Sequence, residues 1–121
     1  MDLNYCVEEL KELIKALCAI PAPSLKEEKR AGFCKNYFCE AGFDAYCDEA
    51  NNAIAPWNLT ESNDIIVFMA HSDTVFPDEE PMPYREENGK AYCPGIGDDT
   101  ANLAILMLAA MTLYTLSAAQ N

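Results

Sequence analysis

From Thr100 to Gln120 the chain carries no charged residue, and Leu103, Ala104, Leu106, Met107, Met111 and Leu113 fall on every face of a helix. A helix that is apolar all round must be covered on most sides or lie in lipid. The stretch therefore calls for either a layered core or a membrane anchor. It is long enough for the second, since a bilayer needs about 20 residues. Against lipid, Asn102, Thr112, Thr115 and Ser117 dilute it, and no Lys or Arg flanks it to set an orientation. The expectation is a buried helix of an α/β domain.

Upstream, two further helices are expected. Leu10, Leu13, Ile14 and Leu17 recur at three and four and mark one stripe of a helix over about residues 4–19, which Pro21 and Pro23 stop. Ser24-Leu25-Lys26-Glu27 has the form of a capping box, in which the two side chains satisfy free amides at a helix start. The helix it opens runs to about Ala41, with Ala31, Cys34, Phe38 and Ala41 on one stripe and Gly42 as the closing residue. Both stripes read as core.

Between the helices lie shorter elements. Residues 43–47 and 53–57 suggest a pair of less buried strands joined through Asn51-Asn52. Ile65-Ile66-Val67-Phe68-Met69-Ala70 is different, being apolar without alternation, as in a strand covered on both faces. It is expected to be the central strand. Residues 76–96 are rich in proline and glycine and read as loop, with a short strand at Lys90-Ala91-Tyr92.

Charge and cysteine content narrow the function classes. The excess of 20 Asp and Glu over 8 Lys and Arg gives a formal net charge of −12, which repels a phosphate backbone or an anionic membrane. Neither nucleic acid nor membrane is an expected partner. Six cysteines without a Cys-x-x-Cys pair, behind a start that has no secretory pattern, fit buried thiols in a reducing, cytoplasmic setting.

The chemistry concentrates at two places. The single histidine, His71, stands at the end of the apolar run, and Asp73 follows it on the same side of an extended chain. Gly95-Ile96-Gly97-Asp98-Asp99 leads into the last helix, and a carboxylate there meets the positive end of a helix dipole. An imidazole and a carboxylate are ligand types that zinc takes. Taken separately, the bland readings are a structural histidine and a helix cap.

Together, Met69-Ala70-His71-Ser72-Asp73-Thr74-Val75 and Gly95-Ile96-Gly97-Asp98-Asp99-Thr100-Ala101-Asn102 resemble the amino-terminal part of the dizinc exopeptidase and aminoacylase family that includes carboxypeptidase G, peptidase T and acetylornithine deacetylase. Ile20-Pro21-Ala22-Pro23-Ser24 with Glu27 resembles the family's opening segment, so the likeness spans the chain. It implies the first part of a three-layer α/β/α catalytic domain over residues 1–121, with no separate second domain. It further implies that His71 and Asp98 are metal ligands, Asp98 bridging two zinc ions, and that Asp73 is a catalytic-site residue supporting His71. A cis peptide after the bridging aspartate is also implied. Thr100 and Ala101 depart from the family's usual Lys or Asn and Gly, so the bridging place is open to Asp98 or Asp99.

The implied activity is hydrolysis of peptide or N-acyl amino acid amide bonds, with zinc, or cobalt or manganese in its place, and a homodimer as the intact enzyme. The later carboxylate ligands, the general-base glutamate and a second histidine have no counterpart here, because no acidic residue follows Asp99. The chain by itself is expected to be an inactive amino-terminal portion. The alternative classes are a small acidic interaction protein, a tail-anchored membrane protein, or a degenerate relative kept as an interaction module.

Overall fold

The computed structural model describes residues 2–120. Helix α1, Leu3–Cys18, begins where the Asp2 side chain accepts a hydrogen bond from the Asn4 amide at 3.0 Å, which satisfies one of the free donors of a helix start. It buries Leu13, Leu17 and Cys18, the stripe set by the three-and-four spacing. Helix α2, Glu28–Ala41, buries Ala31, Cys34 and Phe38 and closes on Gly42, whose φ of 109° puts it in the left-handed region. The capping box does not form. Glu27 occupies the N-cap without a side-chain hydrogen bond, and Ser24 is drawn away to Asp73.

Strands β1, Tyr46–Cys47, and β2, Ala53–Ile54, form an antiparallel hairpin. Its turn is tied by Asp48, whose carboxylate accepts from the Ala50 and Asn52 amides and the Asn52 side chain. A second hairpin joins β3, Arg85–Glu87, to the expected strand β4, Lys90–Tyr92. Its two-residue loop is Asn88-Gly89, both with positive φ, the residue pair that a tight antiparallel turn favours.

Helix α3, Ala101–Ala119, packs on α1 and α2 through Leu103, Ala104 and Met107. These three, with Leu13, Leu17, Cys34, Phe38, Phe43 and Ala45, form the core. Farther along α3, Tyr114 stacks on Phe43 with ring centroids 4.2 Å apart and donates its hydroxyl to the Gly42 carbonyl at 2.9 Å. The helix is covered on one stripe only, and Ile105, Leu113 and Leu116 are exposed. The expectation of a helix buried on most sides is thus not met: only Leu103, Ala104 and Met107, one stripe of its first two turns, are buried. By length and composition, Ile96–Ala119 is apolar enough to cross a membrane.

The central strand is not formed. Residues 65–70 adopt no strand, and Ile66, Phe68 and Met69 are about four-fifths exposed. A strand covered on both faces requires partners on both edges and layers above and below. Among the described residues the sheets are two separate hairpins, and neither borders this run. The nearest pairing is a single bridge beyond its end, where the Thr74 amide donates to the Ala22 carbonyl at 2.7 Å. That bridge fixes the segment just after His71 against the chain leaving α1.

Candidate metal-ligand pair

Four stretches distant in sequence meet at one end of α3. The Ile96–Thr100 turn enters the helix with Asp98 (φ −140°, ψ 81°) and Asp99 (φ −129°, ψ 19°) outside helical geometry, and the peptide between them is cis, as the resemblance implied. Gly95 permits the approach. Its φ is +82°, and a β-carbon there would stand 2.9 Å from the Thr74 side chain, so the turn and the segment after His71 press together at a position only glycine tolerates. Gly97 has no such neighbour.

The turn sets Asp98 against His71. Its Oδ1 lies 2.9 Å from His71 Nε2. The other ring nitrogen, Nδ1, faces the Asp73 carbonyl at 3.0 Å and the Asp73 carboxylate at 3.1 Å. Asp73 is held in turn by the Ser24 hydroxyl, which donates to its Oδ2. That hydrogen bond, above all, keeps the Asp73 carboxyl below the ordinary carboxylate range, against a smaller opposing push from burial. His71 therefore contacts both Asp98 and Asp73, the other two residues singled out in the sequence.

The two aspartates of the turn divide their work. Asp99 Oδ2 accepts from the His71 backbone amide at 3.2 Å, and Asp99 Oδ1 accepts from the Asn102 side chain at 2.6 Å. Asp99 thus ties the end of the apolar run to the first turn of α3, and Asp98 alone of the pair reaches the imidazole.

Hydrogen bonding around the ring explains its electrostatics. With an Nδ1 proton given to Asp73, Nε2 and Asp98 Oδ1 would face each other as two acceptors, so a proton or another cation is favoured between them. For His71, desolvation pulls the pKa down, but the hydrogen bonds to Asp98 and Asp73 and the Asp73 and Asp99 charges outweigh it, and the net direction is upward. The side chains are about half exposed for His71 and 74% exposed for Asp98, so the pair opens to solvent on one side.

The donor set fits zinc in kind. The 2.9 Å between His71 Nε2 and Asp98 Oδ1 is a hydrogen-bond distance, shorter than the ~3.3 Å between two ligands of a tetrahedral zinc. Asp73 behind Nδ1 matches the usual orientation of a liganding histidine by a carbonyl or carboxylate. In number the set is short. Among the described residues no group of three or more His, Cys, Asp or Glu side chains converges to hold an ion.

Two residues at this site went unrecognised in the sequence. Ser24 was assigned to a helix cap. Arg30, only 3% exposed, was not singled out, although it sits on the apolar stripe of α2 four residues before Cys34 and eight before Phe38. A charged residue on a buried stripe was the available signal.

In sequence the chain is similar to curated proteins named as hydrolases. The chain is 33% identical over 104 residues to the LysW-lysine hydrolase of Deinococcus radiodurans. It is 33% identical over 102 residues to a putative LysW-lysine/LysW-ornithine hydrolase of Pyrococcus furiosus. These alignments cover 85% and 84% of the chain but 27% and 30% of the relatives, so the chain spans less than a third of their length. No protein-family model matches.

Proposed function

We propose that this chain is the amino-terminal portion of a zinc-dependent amide hydrolase of the dizinc exopeptidase and aminoacylase kind, with His71 and Asp98 as metal ligands and Asp73 orienting the imidazole. The observation that carries the reading is the 2.9 Å contact between His71 Nε2 and Asp98 Oδ1, made by residues 27 positions apart. The hydrolase names of the relatives support it. On this reading residues 65–70 become a strand of a three-layer α/β/α domain once further strands pair with them.

A zinc ion held there would supply a water acidic enough to attack an amide carbonyl near neutral pH. This chain's own residues set the ligand geometry: Asp73 fixes the ring, Ser24 fixes Asp73, and Asp99 holds the His71 backbone. The substrate class is a peptide or N-acyl amino acid amide. By the relatives' names, the narrower candidate is lysine or ornithine joined to LysW, and the acid excess of the chain suits a cationic amino acid.

Zinc titration of the purified chain tests the ligand assignment. Zinc is expected to bind weakly and to lose at least tenfold in affinity with either His71→Ala or Asp98→Asn; equal affinity in both variants would remove the pair from the metal site. The hydrolase reading is tested by exchanging the matching segment of the Deinococcus relative for residues 2–120. Hydrolysis is expected with His71 intact and absent with His71→Ala.

The tail-anchored alternative has one observation in its favour, the largely uncovered outer faces of α3. Flotation with neutral phospholipid vesicles separates it, since the hydrolase reading requires the chain to stay with the soluble fraction.

A further inference from the structure

The guanidinium of Arg30 is buried where α1 ends, the segment after His71 passes, and α3 begins. Nη2 donates to the Leu17 carbonyl at 2.8 Å and the Ile20 carbonyl at 2.9 Å, and Nε donates to Ile20 at 3.2 Å. These contacts satisfy carbonyls at and just beyond the C-terminus of α1, where a cation is also favoured by the helix dipole. Nη1 does something else. It donates at 3.1 Å to the carbonyl of Ser72, the residue after His71, and at 3.1 Å to the Thr100 hydroxyl, two residues after Asp98.

No carboxylate pairs with this cation among the described residues. Thr100 is 1% exposed, so its contact with Nη1 is buried, and the contact with the Ser72 carbonyl is part-buried. A buried, unpaired charge is costly to keep, and here its hydrogen bonds are spent on neutral groups from three separate stretches. The planar fork of arginine spans such partners at fixed spacing, whereas a lysine ammonium is a single compact point.

We propose that Arg30 is a positioning residue: through Nη1 it holds the Ser72 carbonyl and the Thr100 hydroxyl together and so sets the distance between His71 and Asp98. The inference rests on the pairing of those two side chains and goes beyond the question of which metal or substrate they serve. Arg30 touches neither side chain itself. It acts on the backbone that carries each, clamping the His71 segment and the entrance of α3 to the end of α1.

Because His71 is the only histidine, its ring gives one signal in a histidine-labelled sample, which reads the pairing without metal or activity. The full chain is compared as Arg30→Lys, Thr100→Val and Thr100→Ser at a fixed pH, at a temperature where circular dichroism shows each folded. Thr100→Val is expected to shift the His71 Cε1–H resonance and to lower zinc affinity about tenfold, at the mild end of the range for residues that support ligands from behind. Thr100→Ser keeps the hydroxyl and is expected to restore the native resonance. Arg30→Lys is expected to shift the resonance at least as far, and adding Thr100→Val to it should move the signal little more.

A lowered melting temperature with an unmoved His71 resonance in both Arg30→Lys and Thr100→Val would overturn the proposal and leave Arg30 as a core staple. Should Arg30→Lys fail to fold, the Thr100→Val and Thr100→Ser pair decides alone. Absence of zinc binding in the native chain would count against the metal reading, while the resonance comparison would still decide the role of Arg30.

Discussion

Burial separates the free thiols of Cys18, Cys34 and Cys93 from the exposed ones of Cys39 and Cys47, with Cys6 between them. Desolvation, with the neighbouring Cys93 adding to it, pushes Cys18 up to about 12, against a smaller lowering by Arg30. Burial pushes Cys34 up to about 11, again with Arg30 opposing. Cys39 and Cys47 are exposed. Since the thiolate is the reactive form, a thiol with a pKa near 12 is ionised to roughly one part in ten thousand at pH 8. Cys39 and Cys47 are therefore expected to react quickly with a disulfide reagent and Cys18 and Cys34 only as fast as the chain opens, which mass mapping of partly labelled protein checks. Stability follows with a definite sign. Above the ordinary thiol value of 9.0 the unfolded chain releases protons that the folded chain keeps, so stability is full below pH 9.0 and falls as pH rises towards 11–12. Thermal melts between pH 8 and 11 should show that decline; melts that rise across the range would contradict the burial of these thiols.

At the scale of elements, what a local pattern determines was readable and what needs distant partners was not. The stripes of α1 and α2 and the Gly42 stop follow from spacing and one left-handed residue, and α3 begins where the turn chemistry of Gly95 to Asp99 ends. The Asn88-Gly89 hairpin is equally local: the expected strand Lys90–Tyr92 forms, while its partner Arg85–Glu87 lies in what the sequence reads as loop. Ser24 shows the opposite case. Its capping-box spacing is genuine, but Asp73, 49 residues away, competes for the hydroxyl and wins. The pairing of His71 with Asp98 was legible through a resemblance and not through spacing. The apolar run 65–70 is expected from the sequence to be a strand covered on both faces, but it forms no strand, and Ile65, Ile66, Val67, Phe68 and Met69 are all at least 65% exposed. An uncharged run of β-branched and aromatic residues with free backbone edges is a template for intermolecular pairing. Phe68→Lys, at 77% exposure, is expected to reduce aggregation of the purified chain several-fold in light scattering while leaving helical circular dichroism unchanged. Loss of helix signal in that variant would mean that the run is packed after all.

For the whole molecule, the question is whether these 121 residues could by themselves carry out the reaction proposed for their site. Zinc in a catalytic site takes three protein ligands and keeps one place for water, and a pair of ions sharing a bridge needs more. The chain offers one imidazole, one carboxylate against it, and a supporting aspartate already committed to the imidazole and Ser24. Within these 121 residues there is one histidine, and Asp99 is the last acidic residue. Cysteine does not fill the gap, since no third donor converges with the pair among the described residues. Metal affinity falls steeply when ligands are missing, because each coordinate bond offsets part of the ion's dehydration and the ordering of its ligands. The purified chain is accordingly expected to hold zinc no more tightly than about micromolar and to show no turnover of N-acyl amino acids or dipeptides above the zinc-only background. Both readings are made on one sample, by chelator competition and by amine release. Zinc-dependent turnover that survives removal of loosely bound metal would show that two donors suffice, and the incomplete-site account would fail. Tight zinc binding without turnover would instead point to ligands recruited from a second copy, which sedimentation of the zinc-loaded chain would reveal as a dimer.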